Sequence, residues 1–294
     1  MKIAAPLKAI ICLITTFAVA GIRADEIRMA TSDLLAEFIT PSLIAMAERD
    51  GLELKIDAIG SLPAMDRLNA DEIDLAIMAF PEDSVVPRDK FRVYPFAYDA
   101  AVVAVNETNP INDLSIPQLA GIFGSNEELN FKTWGDLGLS GWSSRNIKAL
   151  AGPADNSISM ELFRYTVLSG GLMKPGVDVL RPGEIEDALA SNTSSIGILS
   201  SLPKSDRLKV LMVSLDDGAE SPAYGPTEDN IHLGDYPIRL GFYLVYNPRD
   251  ENKLKPLLRE LLGSELADVL RENRFFPLPE PIRNQFILGL DLGQ

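Results

Sequence analysis

The sequence predicts an α/β fold of two lobes joined by two crossover segments, and three observations carry that reading. Residues 26–77 alternate strand, helix, strand, helix, strand. Two long, mostly apolar extended stretches, residues 93–105 and 236–246, can each pass from one lobe into another. The chain has 294 residues, 46% of them hydrophobic, with its 20 prolines and 21 glycines dispersed, so it can fill two cores.

The chain opens as an export signal. Lys2 and Lys8 mark a basic start, a run of 13 apolar or small residues covers 9–21, and Ile22-Arg23-Ala24 ends in a small residue suited to cleavage before Asp25. A bilayer span needs about 20 apolar residues, so this run is too short, and no later run approaches that length. The mature protein is expected to be periplasmic or secreted, with no stable membrane insertion. Cys12 lies inside the apolar run, which argues against lipid attachment there. The expected division is 1–24 signal peptide, 25–98 and 241–294 one lobe, and 99–240 the other.

Removing residues 1–24 takes away Lys2, Lys8 and Arg23 and no acid, leaving 24 basic and 42 acidic residues, a net charge of −18. Nucleic acid and anionic lipid are disfavoured, because both need clustered Lys and Arg. The remainder has no cysteine, which excludes a disulfide framework, a Cys-type zinc site and a cysteine nucleophile. No cofactor is expected.

In order, residues 26–30 form a short strand, and Thr31 or Ser32 caps a helix with apolar positions Leu35, Phe38, Ile39, Leu43, Met46 and Ala47, closed by Gly51. Residues 52–59 alternate as a strand. Gly60-Ser61-Leu62-Pro63 then opens a helix over 64–69, and 73–78 is the third strand. Further helices are expected near 115–123, 184–190, 251–263, 265–273 and 280–288, with strands at 196–199 and 208–213. Ligands of open α/β sheets lie beyond the carboxyl ends of the strands, where Thr31, Ser32 and Ser61 fall.

The stretch Ala149-Leu150-Ala151-Gly152-Pro153-Ala154-Asp155-Asn156-Ser157-Ile158-Ser159-Met160 reads as a strand, a tight turn and a helix start. The first amides of a helix lack intrahelical acceptors and carry partial positive charge, so Asn156, Ser157 and Ser159 can line an oxyanion or carbonyl site. Ordinary capping by Asp155, Asn156 or Ser157 is the plainer alternative. Catalysis is not expected: His232, the only histidine, lies in what reads as a polar loop, and no Gly-X-Ser-X-Gly elbow is present. Glu82, Asp83, Asp216, Asp217 and Glu220 lack the alternate-residue spacing of a calcium loop.

Leu114-Ser115-Ile116-Pro117-Gln118-Leu119-Ala120-Gly121-Ile122-Phe123-Gly124 and Trp134-Gly135-Asp136-Leu137 resemble the signature helix and tryptophan turn of the phosphate-binding proteins of ABC importers. Ser195-Ile196-Gly197-Ile198 and the stretch from Pro226 to Ile238 resemble that family's later strand and return crossover. The resemblance covers residues 25–280 and implies a type II periplasmic-binding-protein fold closing on a small-molecule or inorganic anion ligand. It also implies an ABC permease as partner.

By that resemblance Ser32, Ser61, Ser157 and Ser159 fall on hydroxyl positions that bind phosphate, while Asp33 replaces a hydroxyl. The family's charged positions are missing: Ala79-Phe80 stands in the third loop and Pro153 in the arginine's place. Losing a two-bond arginine clamp costs about 3 to 6 kcal/mol. The expected ligand set is Thr31, Ser32, Asp33, Ser61, Phe80, Asn156, Ser157 and Ser159. Two alternatives stand beside phosphate: a neutral or cationic solute packed on Phe80, and a lobe pair without solute capture that serves as a sensor or interaction module.

Overall fold

The computed structural model describes residues 26–80, 87–125, 128–153, 158–218 and 220–292. The signal segment, Glu82, Asp83, Asp155, Asn156 and Ser157 lie outside the described residues.

The first sheet grows around β1 (Ile27–Thr31), which pairs in parallel with β2 (Leu54–Ala58) on one side and β3 (Leu75–Ala79) on the other. Between β1 and β2 runs α1 (Asp33–Arg49), whose buried Leu35, Ala36, Ile39, Leu43, Met46 and Ala47 repeat every three to four residues and so share one face. Gly51 ends it with φ +70°, a left-handed conformation that lets Leu52 N–H reach back to Ala47 O at 2.8 Å. The helix α2 (Ser61–Asn69) connects β2 to β3. β4 (Arg92–Ala100), β12 (Arg239–Tyr246) and the short β13 (Phe276–Pro277) complete a six-stranded sheet of order β13-β4-β12-β3-β1-β2.

The second sheet has the order β10-β5-β9-β7-β8, with β5 (Val102–Asn106), β7 (Lys148–Ala151), β8 (Asp178–Val179), β9 (Ser195–Leu199) and β10 (Leu208–Val210). β7, β8 and β9 are parallel, and α4 (Ile158–Leu168) and α5 (Pro182–Ser191) connect them. Beside this sheet, β6 (Asp113–Ser115) pairs in parallel with β11 (Met212–Ser214). The helix α3 (Ile116–Phe123) starts on a capping box in which Ser115 Oγ accepts from Gln118 N and Gln118 Oε1 accepts from Ser115 N. Trp134 is fully buried and its indole N–H donates to Ser194 O at 3.1 Å. The motifs at 114–124 and 134–137 are thus structural fixtures.

The extended stretch at 93–105 passes from one sheet to the other, as two strands that meet at Ala101. Two expectations need correction. The single strand expected at 208–213 is divided, because buried Leu211 bonds through its N–H to Val103 O and the residues beyond it pair with β6 instead of β5. His232 is not in a loop but in the last turn of α6 (Glu228–Leu233), capped by Thr227, whose Oγ1 accepts from Asn230 N at 3.2 Å. A helix of six residues is too short to show an apolar period.

The two crossovers run side by side. Ala101 N–H donates to Ile238 O at 3.1 Å, and the buried Tyr236 hydroxyl donates to Ala101 O at 2.7 Å. Helices α7 (Glu251–Leu262), α8 (Ser264–Glu272) and α9 (Glu280–Leu292) finish the chain; α7 and α8 pack on α1, and α9 packs on α7.

Candidate functional site

Because β1, β2 and β3 are parallel, Thr31, Ala58 and Ala79 end together, and Thr31, Ser32, Ser61 and Phe80 gather along that edge. Their circumstances differ. Thr31 is fully buried, and its Oγ1 has no hydrogen-bond partner among the described residues. Ser32 is the N-cap of α1 and 1% exposed, with its amide bonded to Ile77 O at 2.8 Å and no side-chain cap bond. Asp33 is exposed in the first turn of α1, where its Oδ1 accepts from Leu34 N at 3.2 Å.

Ser61 is committed to the backbone. Its Oγ donates to Ala79 O at 2.8 Å and accepts from Ala79 N at 3.0 Å, which pins the start of α2 to the end of β3. Phe80 lies flat on Tyr243, ring centroids 4.4 Å apart and planes within 7°. The Tyr243 ring in turn covers Gly241, where an added Cβ would come within 2.7 Å of it. Gly241 therefore makes room for the stack.

Ser159 lies in another setting, at the start of α4 and 2% exposed, where its Oγ donates to Asp99 Oδ1 at 3.4 Å. Asp99 is the residue that sequence reasoning missed. It sits on β4 three residues before Val102, is 5% exposed, and also accepts from Ala100 N at 2.7 Å. Burial pushes its carboxyl up to about 7, against the opposing pull of the Ala100 and Ser159 hydrogen bonds. The signal was present: Asp99 is the only charged residue in the apolar stretch 93–105.

The return crossover brings a second polar group to the same strand. Tyr98 OH lies 3.3 Å from His232 Nδ1, and the Arg239 guanidinium sits 5.2 Å from the Tyr98 ring centroid while donating to the Ile231 and His232 carbonyls. His232 and Arg239 thus brace the crossover. No helix among the described residues is long and apolar enough to cross a membrane.

Two α/β sheets joined by paired crossovers, with hydroxyls at the carboxyl ends of the strands, define the class of two-lobed binding proteins. The chain belongs to the PBP superfamily, whose domain model matches residues 18–265. It is similar to the phosphate-binding protein PstS of two Pseudomonas aeruginosa strains, 28% identical over 211 residues, 67% of this chain and 64% of theirs. The match thus spans a little under two thirds of those relatives' length. Among solved structures, PstS from Borrelia burgdorferi aligns with TM-score 0.68 at 17% identity, covering 86% of this chain and 99% of that one. A possible phosphate-binding protein from Planctomyces limnophilus aligns with TM-score 0.67 at 15% identity, over 92% and 99%. At these identities the structures speak for the fold alone.

Proposed function

We propose that this chain is an exported solute-binding protein that captures a small oxyanion, phosphate first among the candidates, between its lobes and presents it to an ABC importer. The observation that carries the reading is Thr31. A fully buried hydroxyl without a hydrogen-bond partner among the described residues, at the carboxyl end of β1 and next to the N-cap of α1, can meet an oxygen of a bound solute. PstS relatives make phosphate the first solute to try. Ser32, Ser159 and the serine and asparagine at 156–157 complete the proposed ligand set, with Asp33, Ser61 and Phe80 at its margin. The role is binding rather than catalysis.

A second reading, a lobe pair that has lost solute capture and serves as a sensor or interaction module, is favoured by two facts. By the family resemblance Pro153 stands where an arginine is expected, and the Ser61 hydroxyl is already bonded at both ends to Ala79. Calorimetric titration of residues 25–294 with phosphate, after unfolding and refolding to strip carried ligand, separates the two. Saturable heat supports capture. No heat from phosphate or from a panel of other solutes, with the protein folded, leaves the interaction module.

A further inference from the structure

The second sheet has its own crevice. Order β10-β5-β9-β7-β8 sends the chain from β7 to one side and from β9 to the other, and between those two exits lies the kind of opening in which α/β sheets hold ligands. A cavity of about 70 Å3 opens there, lined by Gly152 after β7, Ser200 and Ser201 after β9, Ser159 of α4 and Glu186 of α5. At roughly 10–15 Å3 for each water-sized body, that is room for about five to seven, enough for the heavy atoms of a tetrahedral oxyanion.

The cavity is also lined by the apolar Met160, Ile185 and Ile198, and one further lining residue, Arg274, comes from the other lobe. It follows α8 and precedes β13, which pairs with β4 of the first sheet. Its backbone has φ +73°, and Phe275 N–H bonds back to Leu270 O at 2.9 Å, a helix ending at which glycine is the usual residue. The chain thus places a long cationic side chain where local preference asks for none. Among the described residues Arg274 has no carboxylate partner; one of its five N–H donors reaches Ser200 Oγ at 3.1 Å.

We propose that Arg274, with the hydroxyls of Ser159, Ser200 and Ser201, forms a binding subsite for a small tetrahedral oxyanion that bridges the two lobes. The proposal rests on the oxyanion-binding reading and supplies, from the C-terminal segment, the guanidinium that Pro153 cannot. A guanidinium presents a planar fork of donors that matches two oxygens of such an anion. Glu186 on the rim offsets part of the positive charge, so the hydroxyls share the work of holding the ligand. Because the arginine and the three serines belong to different lobes, an anion here ties the lobes together.

The test is calorimetry on residues 25–294 with inorganic phosphate, sulfate and acetate, for the unaltered protein and for Arg274→Ala, Arg274→Lys, Ser200→Ala and Thr31→Val. Arg274→Ala is expected to weaken phosphate or sulfate binding by about ten- to a hundredfold, with Arg274→Lys and Ser200→Ala losing less. The unliganded unfolding midpoint should stay unchanged. If Arg274→Ala fails to fold, Arg274→Lys and Ser200→Ala carry the same test. Oxyanion affinity left intact by all three variants overturns the subsite while leaving the proposed function standing. No oxyanion binding by the unaltered protein overturns both. Weakened binding in the Arg274 variants with Thr31→Val unaffected supports the subsite and moves the ligand away from the first sheet. Acetate bound more tightly than phosphate and sulfate overturns the tetrahedral class.

Discussion

Ser61 and Ser159 occupy equivalent places, each at the start of a helix that follows a parallel strand, yet their surroundings assign them different work. Ser61 is closed into a reciprocal pair of bonds with Ala79 and holds two segments of one sheet together. Ser159 faces a buried carboxyl at the crossover on one side and lines a cavity on the other. A hydroxyl at a helix start is therefore a ligand group only when the backbone nearby has no prior claim on it.

The largest test of this contrast is at Asp99. In the folded protein burial lets its carboxyl hold a proton up to about pH 7, whereas in the unfolded chain it releases the proton near the ordinary value of 3.8. The native state therefore binds more protons between those values, and stability falls as pH rises from about 4 through 7. The whole effect is about 4 kcal/mol. Asp99→Asn cannot ionise, so its urea midpoint should lack that component, and the variant should gain on the unaltered protein at pH 8 relative to pH 5. An equal slope in both proteins would remove Asp99 from the account.

Next in size is Ser61→Ala, which leaves the amide and carbonyl of Ala79 without their partner. A loss of about 1 to 3 kcal/mol in stability is expected. Ligand affinity read on the same sample sharpens the comparison: a lowered midpoint with unchanged affinity makes Ser61 a pin alone, and weakened affinity returns it to the ligand set.

Smallest in stability is Thr31→Val. The side chains are nearly isosteric and the hydroxyl has no partner among the described residues to lose, so the unliganded protein should be unchanged or firmer by up to about 1 kcal/mol. Affinity for the solute should fall by about 0.5 to 1.5 kcal/mol if Thr31 bonds the ligand. A destabilised variant with intact affinity would mean that water, not solute, answers this hydroxyl.

Much of the architecture was legible in the sequence because its causes are local. The apolar repeat of α1, the glycine after it and the Ser115–Gln118 capping pair act within one or two helical turns, and each appears in the fold as its spacing implies. The pieces that escaped notice are short or take their partners from far along the chain. β13 is two residues long and exists because β4 offers an edge; α6 is six residues held by Thr227 and Gly234. For the site, sequence order brought Thr31, Ser32 and Ser61 to one edge, since parallel strands must end together. It did not separate the bonded serine from the orphaned threonine.

By itself, then, the sequence determined the α/β alternation, the two crossings between sheets and the row of hydroxyls at the strand ends, all of which follow from periodicity and chain direction. Tertiary structure alone decided which polar groups were left over. Asp99 keeps its proton because strands and α4 exclude water from it, and Arg274 reaches Ser200 across 74 positions of sequence. Solvation and long-range contact belong to the assembled fold, and no stretch of residues read singly contains them.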